Sequence, residues 1–119
     1  MSLLVAQQIV LAGIVPTYHT CKEEGDGDEF VNSGQMVIHV KNGHANASRT
    51  ITIDTFTKCN YGMDTEHDVA VVVEGIDPGP NEVVIGPFPK SRFNDAEGKV
   101  QITYSDTAAD LTIAVVDLP

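Results

Sequence analysis

The feature that most constrains this chain is a short unit that recurs from about residue 35 onward: an alternating or continuous apolar run, closed by turn formers. A period of two belongs to a half-buried strand, because successive side chains leave a strand on opposite faces. Met36, Ile38 and Val40 alternate with Val37, His39 and Lys41, and Ile51 and Ile53 alternate with Thr50, Thr52 and Asp54. Val69, Val71 and Val73 share one face, opposite Ala70, Val72 and Glu74; Val83, Val84 and Ile85 make a shorter run. Val100, Ile102 and Tyr104 alternate with Lys99, Gln101 and Thr103, and Leu111, Ile113 and Val115 complete the series. No segment sustains a long apolar stripe at the 3.6-residue helical period, so the pattern predicts about six strands here and little helix.

The punctuation between the runs is equally informative. Asn42 and Gly43 tolerate positive φ, which predicts a hairpin with a loop of several residues between the first two runs. Asp77, Pro78, Gly79 and Pro80 cannot continue a ladder, since proline lacks the amide donor. Residues 86–98, GPFPKSRFNDAEG, hold too many turn formers for a strand but carry Phe88 and Phe93, and so predict an ordered loop. A further turn is expected near Asp106 and Thr107. Residues 1–34 show neither clean alternation nor a capped helical stripe, and are expected to form an arm or edge segment beside a sandwich spanning 35–119.

A chain of 119 residues is the size of one structural domain and can bury roughly two-thirds of the surface it exposes when unfolded. Its apolar residues are dominated by Val and Ile, whose branched side chains suit a pleated surface. The expected fold is therefore all-β: an antiparallel β-sandwich, jelly-roll or Ig-like, of about six to eight short strands with an irregular N-terminal segment.

Seventeen acidic residues against seven basic ones give a formal charge of −10, which repels phosphate backbones and anionic headgroups. No nucleic-acid partner and no membrane partner are expected. The opening LLVAQQIVLAGIV is not preceded by Lys or Arg, and Gln7 and Gln8 interrupt it, so it reads as mature sequence rather than a signal peptide. No stretch reaches the roughly 18 apolar residues of a spanning helix, and the protein is expected to be soluble. Cys21 and Cys59 match neither a CxxC redox pair nor a four-ligand zinc site, and are expected to be reduced thiols.

Chemistry-bearing clusters are sparse. Glu23, Glu24, Asp26, Asp28 and Glu29, with Gly25 and Gly27 between them, supply the oxygen ligands that a hard cation such as calcium takes. Their spacing does not match the EF-hand loop, and a solvated acidic loop with no metal is the expectation. His19, His39, His44 and His67 are scattered, and no GxSxG, phosphate-loop or SxxK motif occurs. These observations point to a non-enzymatic protein without a cofactor.

Two regions are candidates for protein contacts. Residues 1–17 carry an apolar load, Leu3, Leu4, Val5 and Ile9 among it, that must cover this sandwich or a neighbour's. Residues 87–95 combine Phe88, Arg92 and Phe93 with prolines, the composition of interface anchors, although the two phenylalanines could equally cap the open end of the sandwich.

Two segments, IHVKNGHANASRTITIDT and EGIDPGPNEVVIGPFPKSRFNDAEGKVQITYS, resemble small structural proteins of tailed-bacteriophage virions, of head-decoration or minor-capsid type. The resemblance covers about the last two-thirds of the chain and rests mainly on GPFPKSRFND. It implies a sandwich, made in the host cytoplasm, that docks on the major capsid protein or another virion protein as a homotrimer. The first segment also resembles Ig-like accessory sandwiches. A carbohydrate- or ligand-binding module is the rival, although the chain has no Trp to build a sugar platform and only Tyr18, Tyr61 and Tyr104 to replace it.

Overall fold

A computed structural model describes residues 2–21, 27–55, 68–77, 79–105 and 111–118. In chain order these form β1 (Ser2–Leu4), β2 (Gln7–Gln8), β3 (His19–Thr20), β4 (Asp28–Val31), β5 (Met36–Asn42), β6 (Arg49–Ile53), β7 (Val69–Val73) and β8 (Glu82–Ile85). The short helix α1 (Lys90–Phe93) follows, then β9 (Lys99–Tyr104) and β10 (Leu111–Asp117). The fold is all-β, and each of the six apolar runs read from the sequence is one of the strands β5 to β10. Among the described residues no helix is long and apolar enough to cross a membrane.

The strands divide into two sheets, ordered β1-β4-β9-β6-β7 and β2-β10-β5-β8, with β3 also paired to β10. If β1 and β2 are set aside, the remaining eight strands number one to eight along the chain. One sheet then reads 2-7-4-5 and the other 1-8-3-6, with every pairing antiparallel. That is the strand order of a jelly roll, two Greek keys folded over one another.

The inward faces are the ones the alternation predicts. Ile38 and Val40 on β5, Ile51 and Ile53 on β6, Val73 on β7, Val100, Ile102 and Tyr104 on β9, and Leu111, Ile113 and Val115 on β10 are all buried. Phe30 of β4 joins them and is fully enclosed. Because β5, β6 and β9 each bury one face only, a one-residue slip of register would turn their apolar sets to water, so the pattern holds these ladders in place.

One expectation is corrected. The hairpin predicted at Asn42 and Gly43 does not form: β5 pairs with β8 and β10, whereas β6 lies in the other sheet between β7 and β9. The reason is the buried Asn42, which acts as a polar corner instead of a turn residue. Its Nδ2 donates to the carbonyls of Ala47 (2.8 Å) and of Val73 (3.2 Å) in the opposite sheet, while its Oδ1 accepts from the His44 amide. The crossing loop then lies on Gly75, where an added Cβ would sit 2.9 Å from the His44 carbonyl oxygen, too close for any side chain.

Residues 1–34, set apart by their composition, contribute four strands to the two sheets. β1 runs parallel to β4 at the edge of one sheet, and β2 runs parallel to the last strand in the other. Asp28 and Glu29, from the acidic run, begin β4, with Asp28 fully buried; Glu23, Glu24 and Asp26 lie outside the described residues.

Candidate protein-interaction surface

Residues 2–8 pass from one sheet edge to the other through Val5 and Ala6. Leu4 turns inward and is buried, with Ala6 packed against the core beside it. Leu3 and Val5 turn outward and are exposed, as is Val31 on the neighbouring β4. Ile9 is half-buried and fixes the exit of β2 by donating its amide to the Asp117 carbonyl at 3.0 Å.

Residues 9–18 form an excursion between β2 and β3, both of which pair with β10. The Gln7 side chain closes its base, accepting from the Thr17 amide at 2.7 Å and donating to the Thr17 carbonyl at 2.8 Å, as a paired backbone residue would. The Gly13 amide donates to the Val10 carbonyl at 2.8 Å to make the turn. Val10, Leu11 and Val15 stand out from this loop, with Leu11 fully exposed. Every one of the seventeen acidic and seven basic residues lies at or after Lys22, so this apolar edge carries no formal side-chain charge if His19 is neutral.

The excursion ends on a cluster that sequence reasoning missed. Thr20 pairs with Thr112 and His19 with Ile113, so continuing the register sets Tyr18 beside Ala114, whose other neighbour is His39. Alanine there leaves room for the Tyr18 ring to reach across, and Ala114 is fully buried although it shares the outward face with His39. The Tyr18 hydroxyl lies 2.6 Å from His39 Nδ1, and His39 Nε2 lies 3.4 Å from Glu82 Oε1. Lys41 Nζ sits 4.2 Å from the centre of the Tyr18 ring. With neutral histidine protonated on Nε2, the phenol donates to Nδ1 and the imidazole to the carboxylate. This chain of groups ties the root of the excursion to β5 and β8; its only sequence trace was a histidine on the polar face of a strand.

The second candidate region is divided by the fold. Phe88 and Phe93 are core residues: Phe88 packs 5.7 Å from Phe30 and 5.3 Å from Phe93, ring centre to ring centre, in tilted and edge-on geometry. Gly86 makes the approach possible, at φ 125° and with an added Cβ only 2.8 Å from the Met36 carbonyl oxygen. Asn32 holds the loop from below, donating to the Phe88 carbonyl at 2.9 Å and to Asn94 Oδ1 at 2.7 Å. The two phenylalanines close the end of the sandwich, and neither offers a partner a surface. Arg92 is exposed, with its guanidinium 5.1 Å from the Phe93 ring centre. Of the seven residues singled out as contacts, Leu3, Val5 and Arg92 are thus exposed, Ile9 is half-buried, and Leu4, Phe88 and Phe93 belong to the core.

Asp95 ends this loop by accepting from the amides of Glu97 (2.8 Å) and Lys99 (3.0 Å) and from Gln101 Nε2 (2.6 Å). Desolvation works to raise its affinity for a proton, but these bonds and the Lys99 charge outweigh it and hold the carboxyl below its ordinary range. Among the described residues no three His, Cys, Asp or Glu side chains are placed to hold a metal ion.

Inside the sandwich, the Tyr104 hydroxyl donates to Asp28 Oδ2 at 2.7 Å, and Cys21 is a buried free thiol beside them. Burial pushes the thiol up to about 12, against a partial offset from its hydrogen bond with Tyr104. Burial likewise raises Tyr104, reinforced by Cys21 and Asp28. A thiol so reluctant to ionise is a poor nucleophile. Cys59 and His67 lie outside the described residues. Of the three tyrosines available for a sugar platform, Tyr104 is buried, Tyr18 leans on His39, and Tyr61 lies outside the described residues.

Comparison with known proteins adds no relative: no family, no curated protein and no solved structure matches the chain.

Proposed function

We propose that this protein is a non-enzymatic structural component that acts by assembly, joining further copies of itself, as a homotrimer, and decorating or stabilising a bacteriophage capsid. The observation that carries assembly is the N-terminal edge, where Leu3, Val5, Val10, Leu11 and Val15 face water on a segment without formal side-chain charge, in a molecule of net charge −10. Apolar groups that gain by leaving water, set where like charges do not meet, suit repeated protein contacts. The virion setting rests on the resemblance of GPFPKSRFND and its flanking strands to phage head proteins, and the jelly-roll order is compatible with it because viral capsid domains use that architecture, as lectins and cupins also do.

The test is sedimentation with capsid shells assembled from the major capsid protein encoded in the same genome, together with light scattering of the free protein. Co-sedimentation that saturates at a fixed ratio to capsid subunits, and a free protein of three chains, is the expected result. A protein that stays monomeric at high micromolar concentration and remains in the supernatant overturns the proposal.

A further inference from the structure

The exposed excursion conflicts with its own composition. IVLAGIV, residues 9–15, is strand-forming and uncharged, yet it sits as a surface loop whose ends are held on β10. Local preference and observed setting usually agree, and a place where they part is where a second state of the chain is to be sought. The strands it leads from are also the least embedded in the sandwich. β1 and β2 stand outside the eight strands of the jelly roll, β1 pairs on one side only, and their registers comprise three and two residue pairs.

From this arrangement we infer that residues 2–8 exchange between copies, the β1 and β2 of one chain lying against the β4 and β10 of its neighbour. This rests on the assembly proposed above and names the segment that makes it. Exchange costs no strand contact, only the Gly13–Val10 turn that extending the linker opens. The pairing of Leu4 with Phe30 and of Gln8 with Asp117, the burial of Leu4 and the Gln7 clamp on Thr17 are all remade in trans, because the receiving chain offers an identical seat. The reach is sufficient: ten residues separate Gln8 from His19, about 33 Å when extended, and the molecule measures 41 × 34 × 23 Å. The gain lies in the linker. Val10, Leu11 and Val15, which face water while the chain folds back on itself, come to lie between two copies once it crosses from one to the other. The charge distribution suits a second copy as the occupant: the shared segment brings no formal side-chain charge of its own against the acidic receiving chain, because all such charges begin at Lys22.

The experiment divides one register pair between two chains. Gln8 and Asp117 are neighbours across β2 and β10, so full-length Gln8→Cys and full-length Asp117→Cys are refolded together at high micromolar concentration and oxidised. Neither chain can form the 8–117 disulfide within itself. A covalent heterodimer containing the linked 8 and 117 peptides by mass spectrometry, in a sizeable share of the chains and absent when each variant is refolded alone, is the expected result. The doubly substituted single chain, Gln8→Cys with Asp117→Cys, serves as the measure of pairing itself. If that chain closes on itself while the mixture gives no heterodimer, the strands seat in cis and the inference falls. Light scattering of the unsubstituted protein keeps the two ideas apart, since an oligomer without the cross-link leaves the assembly proposal standing and removes only the exchange.

Discussion

Replacing Phe88 with alanine separates a fold role from a contact role for the loop of residues 86–98. The ring is 2% exposed and lies in tilted and edge-on contact with Phe30 and Phe93. Truncating a buried phenylalanine costs about 3–5 kcal/mol through lost transfer energy and the cavity left behind. Each aromatic pair adds about 0.5–1.5 kcal/mol beyond area burial, which places Phe88→Ala in the upper half of that range, about 4 kcal/mol. A domain of 119 residues has a total stability of roughly 6–18 kcal/mol, so the substitution removes a large fraction of it. In urea, with a slope of about 2 kcal/mol per molar, the midpoint should fall by about 2 M. Arg92→Ala, at an exposed site of the same loop, should stay within about 0.5 kcal/mol of the parent. If Phe88→Ala keeps its urea midpoint but loses the ability to assemble, the ring is a contact residue and the packing argument is wrong.

Three further outcomes are expected. Tyr104→Phe should cost about 1–3 kcal/mol in chemical denaturation, because it withdraws a buried donor from Asp28; an unchanged midpoint would show that the hydroxyl contributes nothing. The raised Cys21 thiol keeps its proton in the folded state where the unfolded chain has lost it, so stability is complete below about pH 9 and declines from there towards 12. Cys21→Ala should flatten that alkaline decline relative to the parent, and parallel declines in the two proteins would refute the assignment. For Asp95 the sign reverses: a depressed carboxyl contributes stability above its ordinary value of 3.8 and loses it as pH falls further. Asp95→Asn should therefore shrink the acid-side loss of thermal stability, and an identical acid limb in parent and variant would count against the hydrogen-bonded turn.

How much of the candidate surface could be read in advance differs by region. The apolar load of residues 1–17 is plain in the sequence, but which of its residues face water follows from β1 and β2 docking at two sheet edges, with Leu4 inward and Leu3 and Val5 outward. Phe88 and Phe93 have the composition of interface anchors, and only the Gly86 turn and the support of Asn32 reveal that they are core. The Tyr18–His39–Glu82 chain joins residues from three separate parts of the sequence, and a local pattern holds no trace of such a meeting.

By itself the sequence determined the strands β5 to β10 and the inward face of β5, β6 and β9, because a two-residue alternation is local and a slip of one residue would expose Ile38, Ile51, Ile102 and their neighbours together. Tertiary structure alone decided which strands are neighbours. Asn42 and Gly43 have the local chemistry of a hairpin, yet the side chain of Asn42 finds the Val73 carbonyl in the opposite sheet and the chain crosses over. Short edge strands such as β1 and β2 carry no periodic signature, since two or three residues cannot show a period, and their place depends on partners at Asp28–Val31 and Leu111–Asp117, which close only when the sandwich does.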